Sequence, residues 1–129
     1  MTEHWFVVST TDEVGDRGRV FTYPDGPFEE SGILVRVGGT IVAWKNLCRH
    51  LAVRLDRDLP GSVMDREGRN LVCGQHGAVF RAGDGLCIEG PCSGSHLKTL
   101  KVRVTDGRVL LDLSALGGLH AAPLPDDTA

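Results

Sequence analysis

Short apolar runs separated by glycine-rich turns are the feature that most restricts how this chain can fold. Its 129 residues contain 17 glycines and 6 prolines, which leave little room for long helices because both residue types disfavour a helix interior. Residues 5–9 predict a first strand. Residues 33–37 and 40–44 flank a Gly-Gly pair at 38–39, which predicts a β-hairpin with a two-residue turn.

A second hairpin is predicted near the end of the chain. Residues 100–105 and 108–113 flank an Asp-Gly pair at 106–107, which is another favoured two-residue turn. Val102 and Val104 alternate with polar neighbours, the pattern of a half-buried strand. The two hairpins together predict a fold built from short antiparallel strands.

The region between the hairpins, residues 46–92, has a different composition. It holds all 4 cysteines and two of the 5 histidines, with many glycines and few long apolar runs. We therefore expect a loop-rich subdomain supported by the flanking strands, inside one domain of residues 1–116, since a chain of this length suits a single domain. After a short helical turn near Leu116, residues 117–129 are rich in Ala, Gly, Pro and Asp and are expected to form a flexible tail.

Charge and hydropathy exclude several classes of function. The net charge is −3 and charges of both signs are interspersed, whereas nucleic-acid binding requires a clustered basic face. No segment approaches the roughly 18 consecutive apolar residues of a membrane span, and the first residues lack the pattern of a secretory signal. We therefore expect a soluble cytoplasmic protein, whose cysteines are better suited to metal binding than to disulfides.

Two short motifs each pair one thiol with one imidazole. Cys48 and His50 form a C-x-H motif, and Cys73 and His76 form a C-x2-H motif. In an extended loop, residues i and i+2 point to the same side, so Cys48 and His50 can face one metal centre. The segment between the motifs is long enough to fold back and bring both pairs together.

Two kinds of metal centre suit this set of ligands. Two cysteines and two histidines can hold a structural zinc ion in a tetrahedral site. The common zinc spacing, however, groups Cys with Cys and His with His. Here each loop carries one Cys and one His. This suits a binuclear site in which each loop binds both irons, as in a [2Fe-2S] centre with the cysteines on one iron and the histidines on the other.

The motifs and their surroundings resemble the Rieske [2Fe-2S] ferredoxin family. The residues that carry the resemblance are NLCRHL at 46–51, LD at 55–56, LVCGQHGAVF at 71–80 and GP at 90–91. Neither motif is specific alone, but the combination is. The resemblance implies an all-β fold of three antiparallel sheets with a loop-rich cluster-binding subdomain at one end.

The same resemblance implies a cofactor and a set of ligands. One [2Fe-2S] cluster per chain would have Cys48 and Cys73 on its inner iron and His50 and His76 on its outer iron, near the surface. The implied function is that of a one-electron carrier between a reductase and a terminal oxygenase or other oxidoreductase. Those partners would dock near His50 and His76.

Four residues depart from the pattern of high-potential Rieske proteins in respiratory complexes. Those proteins carry a disulfide-forming cysteine in each ligand loop, where this chain has Val53 and Gln75. They also carry a Ser and a Tyr whose hydroxyls donate at the cluster, where this chain has Ala78 and Phe80. With fewer donors the reduced cluster is less stable, so we predict a low-potential centre near about −150 mV.

Several other residues have simpler explanations. Residues 58–70 lengthen the spacing between the ligand loops, and residues 65–68 predict a turn between two short strands. Cys87 and Cys92 are expected to be small, partly buried residues rather than ligands. Trp5 and Trp44 are expected to pack in the core, and the remaining histidines are expected to be surface or packing residues: His4, His96 and His120.

Function alternatives remain at this point. The chain shows no nucleophile–base pair and no nicotinamide motif, so we expect an electron-transfer protein rather than an enzyme, with no small-molecule substrate. One alternative is a small redox subunit of a larger oxidoreductase, such as a nitrite-reductase-like complex. The other is a structural zinc module.

Overall fold

The computed structural model describes residues 5–15, 17–47, 54–55, 63–65, 68–73, 77–91 and 93–116. They form strands β1 (Trp5–Thr10), β2 (Arg19–Asp25), β3 (Phe28–Val37), β4 (Thr40–Lys45), β5 (Asn70–Val72), β6 (Val79–Arg81), β7 (Cys87–Glu89), β8 (Thr99–Leu100), β9 (Val102–Thr105) and β10 (Arg108–Asp112). Two short 3-10 turns cover Thr11–Glu13 and Leu113–Ala115. Within these ranges, no helix is long and apolar enough to cross a membrane.

The strands form three antiparallel sheets, which confirms the predicted all-β architecture. The terminal sheet has the order β1-β10-β9, the central sheet has the order β2-β3-β4-β8, and the small sheet has the order β5-β6-β7. The small sheet lies entirely within the predicted loop-rich region of residues 46–92. The cysteine-containing region therefore has a framework of its own beside the larger sheets.

The central sheet is covered on both faces. Ile33, Leu34 and Val35 of β3 are all fully buried, although neighbouring residues of a strand point to opposite faces. Ile33 and Val35 pack in one buried cluster with residues of the small sheet, and Leu34 packs in another with residues of the terminal sheet. Burial of both faces explains why residues 33–35 of β3 are continuously apolar rather than alternating.

The cluster between the central and small sheets is called the small-sheet core below. Its members are Ile33, Val35, Trp44, Leu55, Val63, Met64, Leu71, Cys73, Ala78, Phe80, Ala82, Cys87 and Leu97. All of them are at most 7% exposed. One predicted metal ligand, Cys73, therefore lies inside a hydrophobic core.

Both predicted hairpins and the predicted first strand are confirmed. β3 and β4 pair up to Val37 and Thr40, and β9 and β10 pair up to Thr105 and Arg108. All four turn residues, at 38–39 and 106–107, have positive φ. Glycine and aspartate tolerate this conformation, and it matches the twist of two-residue hairpins.

The prediction of one half-buried strand over residues 100–105 is wrong in two respects. The chain passes from the central sheet (β8) to the terminal sheet (β9) at Lys101, so Leu100 belongs to a different sheet from Val102. Val104 is 49% exposed, because β9 is an edge strand at the border of the terminal sheet. Apolar alternation predicts the strand but not which sheet it joins.

Strand β2 was not predicted from the sequence. It contains Pro24, which interrupts the usual strand pattern. β2 lies at the edge of the central sheet and pairs only with β3. On the outer side of an edge strand there is no neighbouring strand to accept a hydrogen bond. A proline, which lacks the backbone N–H, is therefore tolerated there.

Residues 66–67 of the predicted turn at 65–68 lie outside the described ranges, and the residues on either side of it pair antiparallel. The Asp65 N–H donates to the Asn70 carbonyl at 2.9 Å, and the Val72 N–H donates to the Val63 carbonyl at 2.7 Å. Met64 also pairs with Leu71. This hairpin extends the framework beside β5, as the long spacing between the ligand motifs suggests.

Candidate metal centre

Only one of the four predicted ligands lies within the described residues. Cys73 is described, whereas Cys48, His50 and His76 lie outside the described ranges. Val53, Gln75, Cys92, His4 and His120 also lie outside them. The predicted ligand set therefore stays a prediction, and the structure defines the bases of the loops that carry it.

Strands β5 and β6 form the hairpin that positions Cys73. Cys73 directly follows β5 and Ala78 directly precedes β6. The Cys73 N–H donates to the Ala78 carbonyl at 2.8 Å, and the Gly77 N–H donates to the Cys73 carbonyl at 3.0 Å. The C-x2-H motif therefore occupies the short connection at one end of the small sheet.

The surroundings of Cys73 are apolar. Cys73, Ala78 and Phe80 are each fully buried in the small-sheet core. A thiolate in such surroundings is stable only when a cation balances its charge. A buried cysteine at the base of a ligand loop fits the inner, sulfur-ligated iron of a [2Fe-2S] cluster, and neither residue 78 nor residue 80 offers a hydroxyl donor.

The segment that carries the C-x-H motif lies between two buried residues. Asn46 and Leu55, on either side of that loop, are 2% and 0% exposed. The Leu55 N–H donates to the Asn46 Oδ1 at 2.8 Å. Leu55 belongs to the small-sheet core together with Cys73. One side of the first predicted ligand loop and the base of the second therefore lie in one packed cluster.

The Gly90-Pro91 segment packs against the Cys73 hairpin. Gly90 has a φ of +101°, and a Cβ at this position would lie 2.9 Å from the Ala78 Cα. Only glycine adopts this conformation and allows this approach. The segment that follows β7 is thereby held directly against the residue opposite Cys73.

Of the two cysteines outside the predicted ligand set, Cys87 is the one that the structure describes, and it is a core residue. Cys87 is 2% exposed, and its Sγ donates to the Glu89 carbonyl at 3.2 Å. It lies opposite Phe80 in the pairing of β6 and β7. No group of three or more His, Cys, Asp or Glu side chains in the described ranges could hold a metal ion, so no competing site emerges there.

The predictions for the two tryptophans have different outcomes. Trp44 is 6% exposed in the small-sheet core and its Nε1 donates to the Ala82 carbonyl at 2.9 Å, which confirms core packing. The prediction is wrong for Trp5, which is half-buried and lies in neither buried cluster. Its ring lies on an edge strand with the Arg103 guanidinium 4.4 Å from the ring centre, so a cation–π contact replaces burial.

His96 is exposed and pairs through its backbone with Leu86. This agrees with the predicted surface role.

The residue that sequence reasoning missed is Asn46, which was recognised only as part of the motif. The sequence signal that could have identified it is a polar residue directly after an apolar strand and two positions before a predicted ligand. A polar side chain buried at such a place needs hydrogen-bond partners.

Comparisons with known proteins agree with this architecture. The family model of the Rieske [2Fe-2S] domain matches residues 4–105. The ferredoxin of Sphingomonas yanoikuyae B1 is a structural neighbour with a TM-score of 0.65 and 24% sequence identity, and the match covers 84% of this chain and 98% of that one. No curated protein matches the sequence.

Other structural neighbours are complexes of the oxygenase and ferredoxin of carbazole 1,9a-dioxygenase. A carbazole-bound complex matches with a TM-score of 0.66 and 24% identity over 85% of this chain, but this chain spans only 28% of the matched chain. A complex of reduced oxygenase and oxidised ferredoxin matches with a TM-score of 0.65 and 23% identity over 84% of this chain and 93% of that chain. These likenesses establish the fold.

Proposed function

Because the chain belongs to the Rieske [2Fe-2S] domain family, we propose that it is a one-electron carrier between a reductase and a terminal oxygenase or another oxidoreductase. The observation that carries the proposal is the position of Cys73. It is buried at the base of the C-x2-H loop, in the same core as Leu55 on one side of the C-x-H loop. That arrangement supports one centre bound jointly by both loops.

The proposed ligands are Cys48, His50, Cys73 and His76, holding one cluster per chain. When bound, the cluster supplies a couple that accepts and releases one electron. Two thiolates give the site less negative charge than four would, and the histidine ligands therefore raise the potential above that of an all-cysteine site. The apolar residues around Cys73 exclude water from the sulfur side of the site.

The proposed partners dock at the end of the small sheet that carries the ligand loops, near His50 and His76. Ferredoxin–oxygenase complexes among the structural neighbours support this kind of partnership. We further propose that the protein acts in the cytoplasm, where thiols stay reduced and available as ligands.

We also propose that the chain carries electrons without transforming a substrate of its own. An open depression of about 400 Å³ is lined by Arg69, Asn70, Arg81, Ala82, Gly83 and Asp84. It lies at the opposite end of the β5–β6 hairpin from Cys73. Arg81 and Asp84 pair with each other there, so these side chains form an ion pair rather than a nucleophile and its base.

Anaerobic purification followed by reductive titration tests this proposal. We expect a coloured protein that takes up one electron per chain and elutes alone, near its mass of 13.9 kDa. Stable elution with a large subunit would instead support the role of a complex subunit, and a colourless zinc protein would overturn the proposal. Cys73→Ser should abolish the colour, whereas Cys87→Ser, a matched change at another buried cysteine, should retain it.

A further inference from the structure

Asn46 connects three segments that are distant in sequence. Its Oδ1 accepts from the Leu55 N–H at 2.8 Å, and its Nδ2 donates to the Ser31 Oγ at 3.1 Å. The Ser31 Oγ in turn donates to the Phe21 carbonyl at 3.2 Å. Asn46 and Ser31 are 2% and 8% exposed, so this polar chain runs through the interior.

The two ends of the Asn46 side-chain amide contact different parts of the structure. The donor end points to the central sheet, where the Asn46 N–H also donates to the Ser31 carbonyl at 2.9 Å. The acceptor end points to Leu55, beyond the segment that contains Cys48 and His50. The Ser31 hydroxyl has one donor, which it gives to the Phe21 carbonyl, so it can only accept from Asn46. The amide nitrogen of Asn46 must therefore face Ser31, and its oxygen faces Leu55.

We propose that Asn46 is a positioning residue that closes the first ligand loop and presents Cys48 and His50 to the other two ligands. This inference rests on the proposed function. The Asn46–Leu55 hydrogen bond ties the exit of the loop to its entry, and Leu55 is fully buried beside Cys73 in the small-sheet core. Without the Oδ1 acceptor, the buried Leu55 N–H has no such partner, and separation of the loop ends becomes easier.

Loss of the acceptor should act on the centre before it acts on the fold. The Asn46 side chain bridges the residues before Cys48 and after His50, whereas the three sheets pair through backbone hydrogen bonds that do not use it. Residues that orient ligands from outside the ligand set typically change metal affinity by roughly tenfold or more when they are replaced. The rate at which the cluster is lost is therefore the sensitive quantity.

Three holoprotein variants separate the acceptor from the rest of the network. Asn46→Leu removes both ends of the amide at similar size, and Asn46→Asp keeps an acceptor toward Leu55. Ser31→Ala removes the hydroxyl that contacts the donor end and leaves the acceptor end unchanged. The measurements are the bleaching rate of visible absorbance in excess EDTA, the electron-paramagnetic-resonance spectrum of the reduced protein and the thermal midpoint. If Asn46→Leu does not accumulate as folded protein, Asn46→Ser, whose hydroxyl is too short to reach Leu55, replaces it.

We expect bleaching at least about tenfold faster in Asn46→Leu, with shifted g-values, and within about threefold of the wild type in Ser31→Ala. Asn46→Asp keeps the acceptor but buries a charge, so it should bleach more slowly than Asn46→Leu and faster than the wild type. Equal bleaching rates and unchanged g-values in Asn46→Leu and Ser31→Ala would overturn the positioning role. A wild-type protein without a Rieske spectrum would overturn the proposed function instead, so the two failures are distinguishable.

Discussion

The backbone N–H of Cys73 donates to the carbonyl oxygen of Ala78 at 2.8 Å, which places these two fully buried residues opposite each other at the base of one hairpin loop. A side chain at residue 78 is therefore close to the proposed thiolate ligand. Alanine offers it no hydrogen bond. Phe80, which lies in β6 and is buried in the same core, also offers no hydrogen bond.

The midpoint potential should reflect this lack of donors. Hydrogen bonds to the sulfurs stabilise the reduced, more negative form of a cluster, and their absence lowers the potential. We expect a value near about −150 mV, at the low end of the Rieske range, in a spectroelectrochemical titration at pH 7. A midpoint above about 0 mV would contradict the roles assigned to Ala78 and Phe80.

Ala78→Ser should raise the potential by adding a donor beside Cys73. A hydrogen bond that favours the reduced form by about 1 kcal/mol corresponds to about 40 mV for one electron. Ala82→Ser is the matched control, because Ala82 is also buried in the small-sheet core but follows the other end of β6. Its potential should stay within about 10 mV of the wild type. Equal shifts in both variants would argue against a local donor effect.

Gly90→Ala should destabilise the protein more than Gly94→Ala does. Both glycines have φ near +100°, which costs alanine about 1–2 kcal/mol. A Cβ at Gly94 meets nothing within 4 Å, whereas one at Gly90 lies 2.9 Å from the Ala78 Cα. The steric clash should add at least about 1 kcal/mol and speed cluster loss.

Chemical denaturation and chelator challenge measure these two effects. Gly94→Ala reports the cost of the backbone conformation alone, so the difference between the variants isolates the approach to Ala78. If the two variants unfold at the same denaturant concentration and lose the cluster at the same rate, the Gly90 segment does not support the Cys73 hairpin.

Stability should depend on pH through Asp112. The Ser114 hydroxyl, then the Ser114 N–H and the Lys101 ammonium, hold the pKa of this carboxyl below its usual value against desolvation. A lowered folded-state pKa contributes stability above the unfolded pKa of about 3.9, and that stability is lost as the pH falls through the folded pKa. Asp112→Asn removes this contribution.

Thermal midpoints of the wild type and Asp112→Asn measure that difference. At pH 7 we expect the variant to be less stable by about 1 kcal/mol, and the gap should narrow as the pH falls below about 4. Acid breakdown of the cluster affects both proteins alike, so the difference between them is the informative quantity. A gap that is constant from pH 7 to pH 3 would show that the carboxylate charge contributes nothing.

Local sequence signals predicted the parts of the fold that depend on local chemistry. The Gly38-Gly39 and Asp106-Gly107 turns are hairpin turns because both residues of each pair adopt positive φ. Strand β2 escaped prediction because Pro24 is acceptable only at an edge, and edge position is decided by the whole sheet. The passage between sheets at Lys101 is likewise decided by packing rather than by alternation.

The candidate site likewise has a part that the sequence predicts and a part that it does not. The spacing of thiols and imidazoles predicted Cys73 as a ligand, and its burial at the hairpin base suits that role. The support from Asn46 could not be predicted, because it depends on contacts with Ser31 and Leu55, which lie 15 and 9 residues away. Such contacts exist only once the sheets have assembled.

The electron-paramagnetic-resonance spectrum of the anaerobically reduced protein tests the central claim most directly. Ligation by Cys48, His50, Cys73 and His76 predicts one spin per chain with an average g-value distinctly below that of an all-cysteine cluster. His76→Ala should abolish this spectrum, and His96→Ala, a change at an exposed histidine, should leave it intact. An all-cysteine type of spectrum, or an unchanged spectrum in His76→Ala, would contradict the proposed ligands.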